Sequence, residues 1–324
     1  MFKPPGADDG SGSTIASNAS SWYESIRKVR SIETWESRLW KRSFWGRVRE
    51  GVPAAYCRCA ACEGVRARGG REIKTRSSFR LGETYQIDVS PDQHVQMLRL
   101  GLDMYDIEHL LITHTHGDHF ALSGVTDRTM AATTNGKPLH VYTSRPAARY
   151  LERLLQIAGV SAKDRESSLF SITEFEYFSE YRVGDLTVET VKGNHTAHGD
   201  EEYAINYLIT TPEGGRLLYA LDTGFYRDET WEYLQGRSVD VVIMDCTFAG
   251  RTDRDEFSAG HLALNGFLKM LEQMTEIGFV TKKTRVYASH VNPHQGLRHD
   301  EIQTALDTSR YAATVAYDGL RITV

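Results

Sequence analysis

Short apolar or alternating segments, separated by polar turns, recur along most of the chain and predict a mixed fold of strands and helices. Residues 79–89 alternate as a strand, and residues 107–113 form an apolar strand that enters a histidine-rich loop. Residues 146–157 begin at a proline and carry apolar side chains on one face, which predicts a helix. Strands that come in runs, with helices between and outside them, are typical of a layered α/β or α+β domain.

The second half of the chain shows the same alternation. The PEGG segment at 212–215 predicts the turn of a hairpin. Further predicted elements are strands over 239–244 and 285–289, helices over 261–274 and 300–309, and a strand with its partner within 313–324.

The N-terminal part differs in composition from this main domain, which we expect over 50–324. Residues 1–20 are rich in Gly, Ser, Ala and Asp and predict a flexible tail. Residues 21–49 are rich in Trp, Arg and Lys, and their helix-like apolar spacing predicts a helical extension. A nucleic-acid-binding arm is the alternative for this segment, but aromatic stripes at helical spacing usually pack against a core.

Composition narrows the class of protein. The chain has 324 residues, of which 25% are charged and 40% hydrophobic, as in ordinary globular domains. Its net charge of −5 lacks the positive excess that is typical of nucleic-acid-binding domains, so the composition predicts that nucleic acid is an unlikely partner. No apolar run reaches the roughly 18–20 residues of a membrane span, and no secretory signal is visible. We therefore expect no membrane association and a cytoplasmic location.

Three of the four cysteines, Cys57, Cys59 and Cys62, form a C-x-C-x-x-C cluster. Close thiolates are typical of a structural zinc site in a reducing compartment, and a fourth ligand must come from elsewhere in the chain. A redox role is weaker, because no thioredoxin-like pattern surrounds the cluster. Unliganded cysteines are the other alternative. The spacing favours a zinc knuckle over 57–62.

The strongest candidate chemistry lies in the loop THTHGDHF, which follows the strand over 107–113. It carries His114, His116, Asp118 and His119 within six residues. Imidazole and carboxylate groups suit divalent zinc, manganese or iron, although a histidine-rich surface loop is the alternative.

Later strands end in residues of the same chemical type. His195, Asp222 and His290 each terminate a short strand, and Asp245 and His261 lie near two further strand and helix ends. A single such histidine is usually structural. Several strand ends with the same chemistry predict one shared metal pocket.

The order H-x-H-x-D-H, then His, Asp and His, resembles the metallo-β-lactamase fold hydrolases over about residues 50–324. Within that superfamily the chain is similar to the branch of phosphoribosyl cyclic phosphate phosphodiesterase, and the pyrroloquinoline quinone biosynthesis protein B group is a sister branch. Three runs carry the narrower resemblance: GVP with CRCAAC, KTRSS at 74–78, and MDCT followed by GHLALN. The resemblance implies a four-layer αββα sandwich with its site at one edge between two sheets.

The resemblance also implies a ligand set for two divalent ions, zinc or manganese. One ion would take His114, His116 and His195, the other Asp118, His119 and His290, with Asp222 bridging. Such a pair lowers the pKa of a bridging water and supplies hydroxide. Asp118 and His261 are then the expected catalytic residues, because His261 matches the histidine that helps to expel the alkoxide.

The chain departs from the branch in two places. The usual Gly-rich strand and loop before the G-x-P segment is replaced by WKRSFWGRVREGVP. The expected position of the fourth zinc ligand holds Pro293, so we expect His294 to complete the site, with His299 as the alternative.

The favoured function is a dinuclear phosphodiesterase acting on a small cyclic or nucleotide-like phosphodiester, and the resemblance also allows a homodimer. Hydrolysis of an ester, thioester or lactone is the first alternative, since the same fold serves either reacting centre. A non-hydrolytic biosynthetic accessory protein is the second. Asp118 favours two metals, and the segment around His261 favours a phosphodiester.

Overall fold

The computed structural model describes residues 42–46, 51–130, 137–167, 170–198, 201–292 and 297–324, and within them the strands form two seven-stranded sheets. The first sheet contains β1 (Arg42–Gly46), β2 (Ser78–Leu81), β3 (Tyr85–Ile87), β4 (His109–Leu111), β5 (Leu139–Ser144), β6 (Phe170–Phe175) and β14 (Arg321–Ile322). The second contains β7 (Glu180–Val183), β8 (Leu186–Thr196), β9 (Tyr203–Thr210), β10 (Arg216–Ala220), β11 (Val241–Asp245), β12 (Arg285–Ser289) and β13 (Ala313–Val315).

Both sheets have an antiparallel and a parallel part. The first runs in the order β14-β1-β2-β3-β4-β5-β6 and is parallel from β3 to β6. The second runs in the order β13-β12-β11-β10-β9-β8-β7 and is parallel from β10 to β13. Polar residues that follow parallel strands gather at one edge of a sheet, because the carboxyl ends of parallel strands share that edge.

Helices cover the outer faces of the sheets. The α-helices of the described residues are α1 (Ala60–Arg68), α2 (Gln93–Leu100), α3 (Leu122–Met130), α4 (Arg145–Ile157), α5 (Ala162–Ser167), α6 (Asp228–Leu234), α7 (Leu264–Glu276) and α8 (His299–Asp307). The start of α4 follows from its sequence: the Ser144 hydroxyl accepts a hydrogen bond from the Ala147 amide, and Pro146 lies in the first turn.

Three apolar clusters hold the layers together. Phe79 of β2 and Tyr219 of β10 pack between the sheets. Phe267 of α7 packs with the outer residues of the second sheet, and Leu151 of α4 packs with those of the first. Burial of each large side chain contributes about 1.5–3 kcal/mol. The arrangement of helices, sheet, sheet and helices confirms the predicted αββα sandwich.

Some element bounds differ from the predictions. Residues 42–46, placed by their sequence in a helical extension, form β1, because β2 and β14 on either side supply antiparallel partners. The strand expected over 79–89 is two strands joined by a turn at Gly82, whose φ is +60°. The helix expected from residue 261 begins at Leu264, so His261 precedes it. Residues 1–41 lie outside the described residues, and the tail and extension stay predictions.

Among the helices that the structure describes, none combines the length and the hydropathy needed to span a membrane.

Candidate metal centre

The residues that end four central strands turn toward one edge of the sandwich. Three of these residues adopt left-handed backbone conformations, which are uncommon for residues other than glycine. They are Asp88, Asp222 and His290, with φ of +60°, +52° and +61°. This conformation costs energy for residues with a Cβ, although aspartate tolerates it better than most. Such strain persists where the surrounding structure fixes the residue, and it is frequent at functional sites.

Three histidines form the first part of the centre, which we call the three-histidine position: His114, His116 and His195. His116 Nδ1 lies 3.1 Å from both His114 Nε2 and His195 Nε2. Asp222 Oδ2 lies 3.3 Å from His114 Nε2 and 3.4 Å from His195 Nε2. These four side chains converge closely enough to share one ion.

The second part, which we call the aspartate-rich position, consists of Asp118, His119 and His290. The Nε2 atoms of the two histidines are 3.1 Å apart, and Asp118 Oδ2 lies 3.5 and 3.4 Å from them. Asp222 Oδ1 lies 3.0 Å from both. The two oxygens of Asp222 therefore face different positions, as the geometry of a bridging ligand requires.

Buried charge at this centre fits divalent cations. In the described part of the chain, Asp118 Oδ2 and Asp222 Oδ1 are buried without a hydrogen-bond partner. Burial opposes ionisation of Asp118, but His119 and His290 outweigh it and lower the pKa of its carboxyl. Unpartnered buried carboxylate oxygens are costly, and a metal ion would satisfy them. Mixed nitrogen and oxygen donors suit zinc or manganese.

Neutral groups orient the rings of the three-histidine position. The partners on the opposite ring nitrogens are Thr113 Oγ1 at 3.0 Å from His114 Nδ1, Ala197 O at 3.2 Å from His116 Nε2, and Gly260 O at 3.0 Å from His195 Nδ1. Hydrogen bonds of this kind fix the ring orientation and the tautomer of a ligand.

Carboxylates orient the rings of the aspartate-rich position. His119 Nδ1 donates to Asp88 Oδ2 at 2.6 Å. His290 Nδ1 lies 2.8 Å from Thr247 Oγ1, which in turn donates to Asp245 Oδ2 at 2.9 Å. Asp88 and Asp245 are fully buried, so their charge acts on the position with little screening by water.

His261 lies against both positions. Its ring centroid is 4.6 Å from that of His195 and 5.6 Å from that of His290. Its Nδ1 donates to Asp245 Oδ2 at 2.9 Å. Burial opposes protonation of His261, but Asp245 and Asp222 outweigh it and raise the pKa to about 9. The sequence analysis associated His261 with a helix start; the structure places it in the preceding loop.

The three clustered cysteines also converge. Cys57, Cys59 and Cys62 bring their sulfur atoms within 4.8 Å of one another, at the start of α1. His294, the expected fourth ligand, lies outside the described residues. His299, the alternative, is described and lies outside the sulfur group.

The sequence analysis did not identify two residues that support the candidate ligands. Asp88 follows a strand, as the ligands do, so the same strand-end pattern could have identified it. Glu202 offers no such pattern. It is buried, and its carboxylate accepts hydrogen bonds from the Thr115 amide at 2.7 Å and from the Thr115 hydroxyl at 2.6 Å, between two ligand histidines.

Comparisons with known proteins agree with this fold. The family model for the beta-lactamase superfamily domain matches residues 84–291. A diphosphatase from the PhnP family has a similar structure, with a TM-score of 0.65 and 21% identity over 87% of this chain and 96% of that one. Zinc-bound PqqB from Methylobacterium extorquens gives a TM-score of 0.64 and 18% identity over 88% of this chain and 100% of that one.

Curated relatives overturn one prediction. Ribonuclease Z of Gemmatimonas aurantiaca is 31% identical over 138 residues, which cover 42% of this chain and 42% of that protein. The chain thus matches less than half the length of this relative, and others of the same name are similar. The prediction that nucleic acid is an unlikely partner is wrong. Net charge is an average over the chain and does not report a local surface.

Proposed function

The chain belongs to the beta-lactamase superfamily, and on this premise we propose that it is a dinuclear metal-dependent phosphodiesterase acting on nucleotide phosphodiesters. The observation that carries the proposal is Asp222, whose two oxygens face two separate groups of ligands. The names of the relatives, ribonuclease Z and a diphosphatase, support chemistry at phosphorus.

The proposed ligands divide as the distances suggest. His114, His116 and His195 would hold one zinc or manganese ion, Asp118, His119 and His290 the other, and Asp222 both. When bound, such ions supply hydroxide near neutral pH and neutralise the charge on phosphate oxygens.

His261 is the proposed proton donor to the leaving alkoxide. Asp245 accepts from Nδ1 and so holds the ring in one orientation. The other nitrogen, Nε2, is thereby left to face the substrate beside both metal positions. A histidine held in this way by a carboxylate has the geometry of a general acid.

A substrate panel tests the proposal. We expect the protein loaded with manganese or zinc to hydrolyse bis-p-nitrophenyl phosphate, and to cleave 2′,3′-cyclic nucleotides or a short RNA. The chelated protein is the control and should lose this activity. If the loaded protein instead cleaves only thioesters or lactones, the phosphodiesterase proposal fails and the hydrolase alternative on the same fold replaces it.

The cysteine cluster is a separate proposal. We infer that Cys57, Cys59 and Cys62 hold one structural zinc, with His294 as fourth ligand, in a reducing compartment such as the cytoplasm. A Cys59→Ser variant should contain about one fewer zinc per chain while retaining its hydrolytic metals. An unchanged zinc content by elemental analysis would remove this site.

A further inference from the structure

Two aromatic rings contact each other at a tilt beside the metal centre. Tyr150 lies on α4, and His198 lies just after β8. Their ring centroids are 4.7 Å apart and their planes meet at 31°. His198 is exposed and Tyr150 is partly exposed, so the pair remains open to solvent.

The His198 ring of this pair lies beside the three-histidine position. The ring centroid of His198 lies 6.1 Å from that of His116, at an interplanar angle of 73°. The residue before it, Ala197, accepts the hydrogen bond that orients His116. A ligand bound at the three-histidine position therefore has the His198 ring within about one ring width of its histidines.

Other contacts already hold the segment that carries His198. Glu202 binds Thr115 of the ligand loop through both carboxylate oxygens. The Ala197 amide donates to the Glu202 carbonyl at 3.0 Å. The segment thus has anchors besides the contact between Tyr150 and His198, and the exposed face of the His198 ring is open to a ligand.

We propose that Tyr150 and His198 form a stacking platform for the nucleobase of the substrate. The inference rests on the proposed function, because it takes a phosphate at the metal centre as its reference point. Bases stack on exposed aromatic side chains irrespective of base identity, since every base has a π-face. The platform would therefore favour nucleotide phosphodiesters over phosphodiesters without a base.

Binding measurements test the platform separately from catalysis. The probes are adenosine 5′-monophosphate and ribose 5-phosphate, measured by calorimetry on the metal-loaded protein. We expect Tyr150→Leu to weaken adenosine 5′-monophosphate binding about tenfold and to leave ribose 5-phosphate binding unchanged. Tyr150→Phe keeps the ring and should bind like the wild type. Tyr105→Leu is the control, since Tyr105 is 42% exposed and precedes β4, opposite the ligand loop.

The outcomes separate the two proposals. Equal affinity of the wild type for both probes, or an equal loss for both in Tyr150→Leu, overturns the platform. If the wild type hydrolyses no phosphodiester but its preference for adenosine 5′-monophosphate still depends on Tyr150, the platform stands and the proposed function fails. Should Tyr150→Leu unfold, His198→Ala at the exposed ring decides by the same pair of probes.

Discussion

The two candidate metal positions share Asp222 but differ in what lies behind their histidines. In the three-histidine position the rings are oriented by a hydroxyl and by two backbone carbonyls. In the aspartate-rich position His119 is oriented by the Asp88 carboxylate, and His290 by Thr247, which is itself bound to Asp245. The Asp88 carboxylate thus contacts a ring of the aspartate-rich position directly, whereas it reaches the three-histidine position only through the Thr113 hydroxyl, which donates to it at 2.9 Å.

This difference predicts unequal metal affinity. The aspartate-rich position would present Asp118 to an ion in addition to the shared Asp222, and the Asp88 carboxylate contacts one of its rings directly. We therefore expect it to attract a divalent cation more strongly. Oxygen donors suit manganese, whereas imidazoles suit zinc. We therefore expect the aspartate-rich position to retain its ion longer under chelation and to accept manganese more readily.

Removal of the shared ligand should have the largest effect. Asp222→Ala deletes an oxygen from each position, so we expect hydrolysis to fall to the background rate and both ions to be lost on dialysis. Elemental analysis and turnover of bis-p-nitrophenyl phosphate measure these effects. Asp307→Ala is the control, because Asp307 is exposed on α8. Retention of one tightly bound ion in Asp222→Ala would argue against a shared ligand.

Sequence patterns identified candidate ligands because several of them closely follow a strand, where the alternation of apolar and polar residues is readable. His114, Asp222 and His290 illustrate this, since the apolar strand before each residue is visible in the chain. The β1 strand was missed for the opposite reason. Its partner β14 is at the far end of the chain, so its conformation depends on tertiary pairing and not on local spacing.

Substitution of Asp88 tests the difference between the two metal positions. Asp88→Asn keeps the shape of a residue in the left-handed region but removes the charge that orients His119. Loss of such a partner typically costs 10–100-fold in metal affinity, so we expect about that loss at the aspartate-rich position. The loss at the three-histidine position should be smaller, because Asp88 reaches His114 only through the Thr113 hydroxyl. Competition against a fluorescent chelator measures both affinities.

The control for this variant is Asp106→Asn, which breaks a partly exposed ion pair with Lys137 at the surface. Such pairs contribute little, so both affinities should remain at wild-type values. An equal loss of metal affinity at both positions in Asp88→Asn would show that the Asp88 charge acts on the whole centre. It would then contradict the proposed difference between the two positions.

Supporting residues were harder to anticipate than ligands. Glu202 acts on the ligand loop from the other sheet, and no spacing in the sequence brings it near Thr115. Side chains that act across two sheets become visible only when the fold brings them together. The same holds for the Tyr150 and His198 rings, which come from α4 and the end of β8.

The smallest effect should come from Glu202, a buried carboxylate that accepts hydrogen bonds from Thr115, between two histidines of the three-histidine position. Glu202→Gln keeps an oxygen for the Thr115 amide, and the Thr115 hydroxyl can rotate to accept from the new amide. Only the charge is lost, so we expect the affinity of that position to fall by about a few-fold, with the aspartate-rich position unchanged. Glu201→Gln, at the exposed neighbour, is the control. A loss of metal affinity as large as that in Asp88→Asn would contradict this expectation. It would mean that the three-histidine position depends just as strongly on a buried charge, which Glu202 supplies through Thr115.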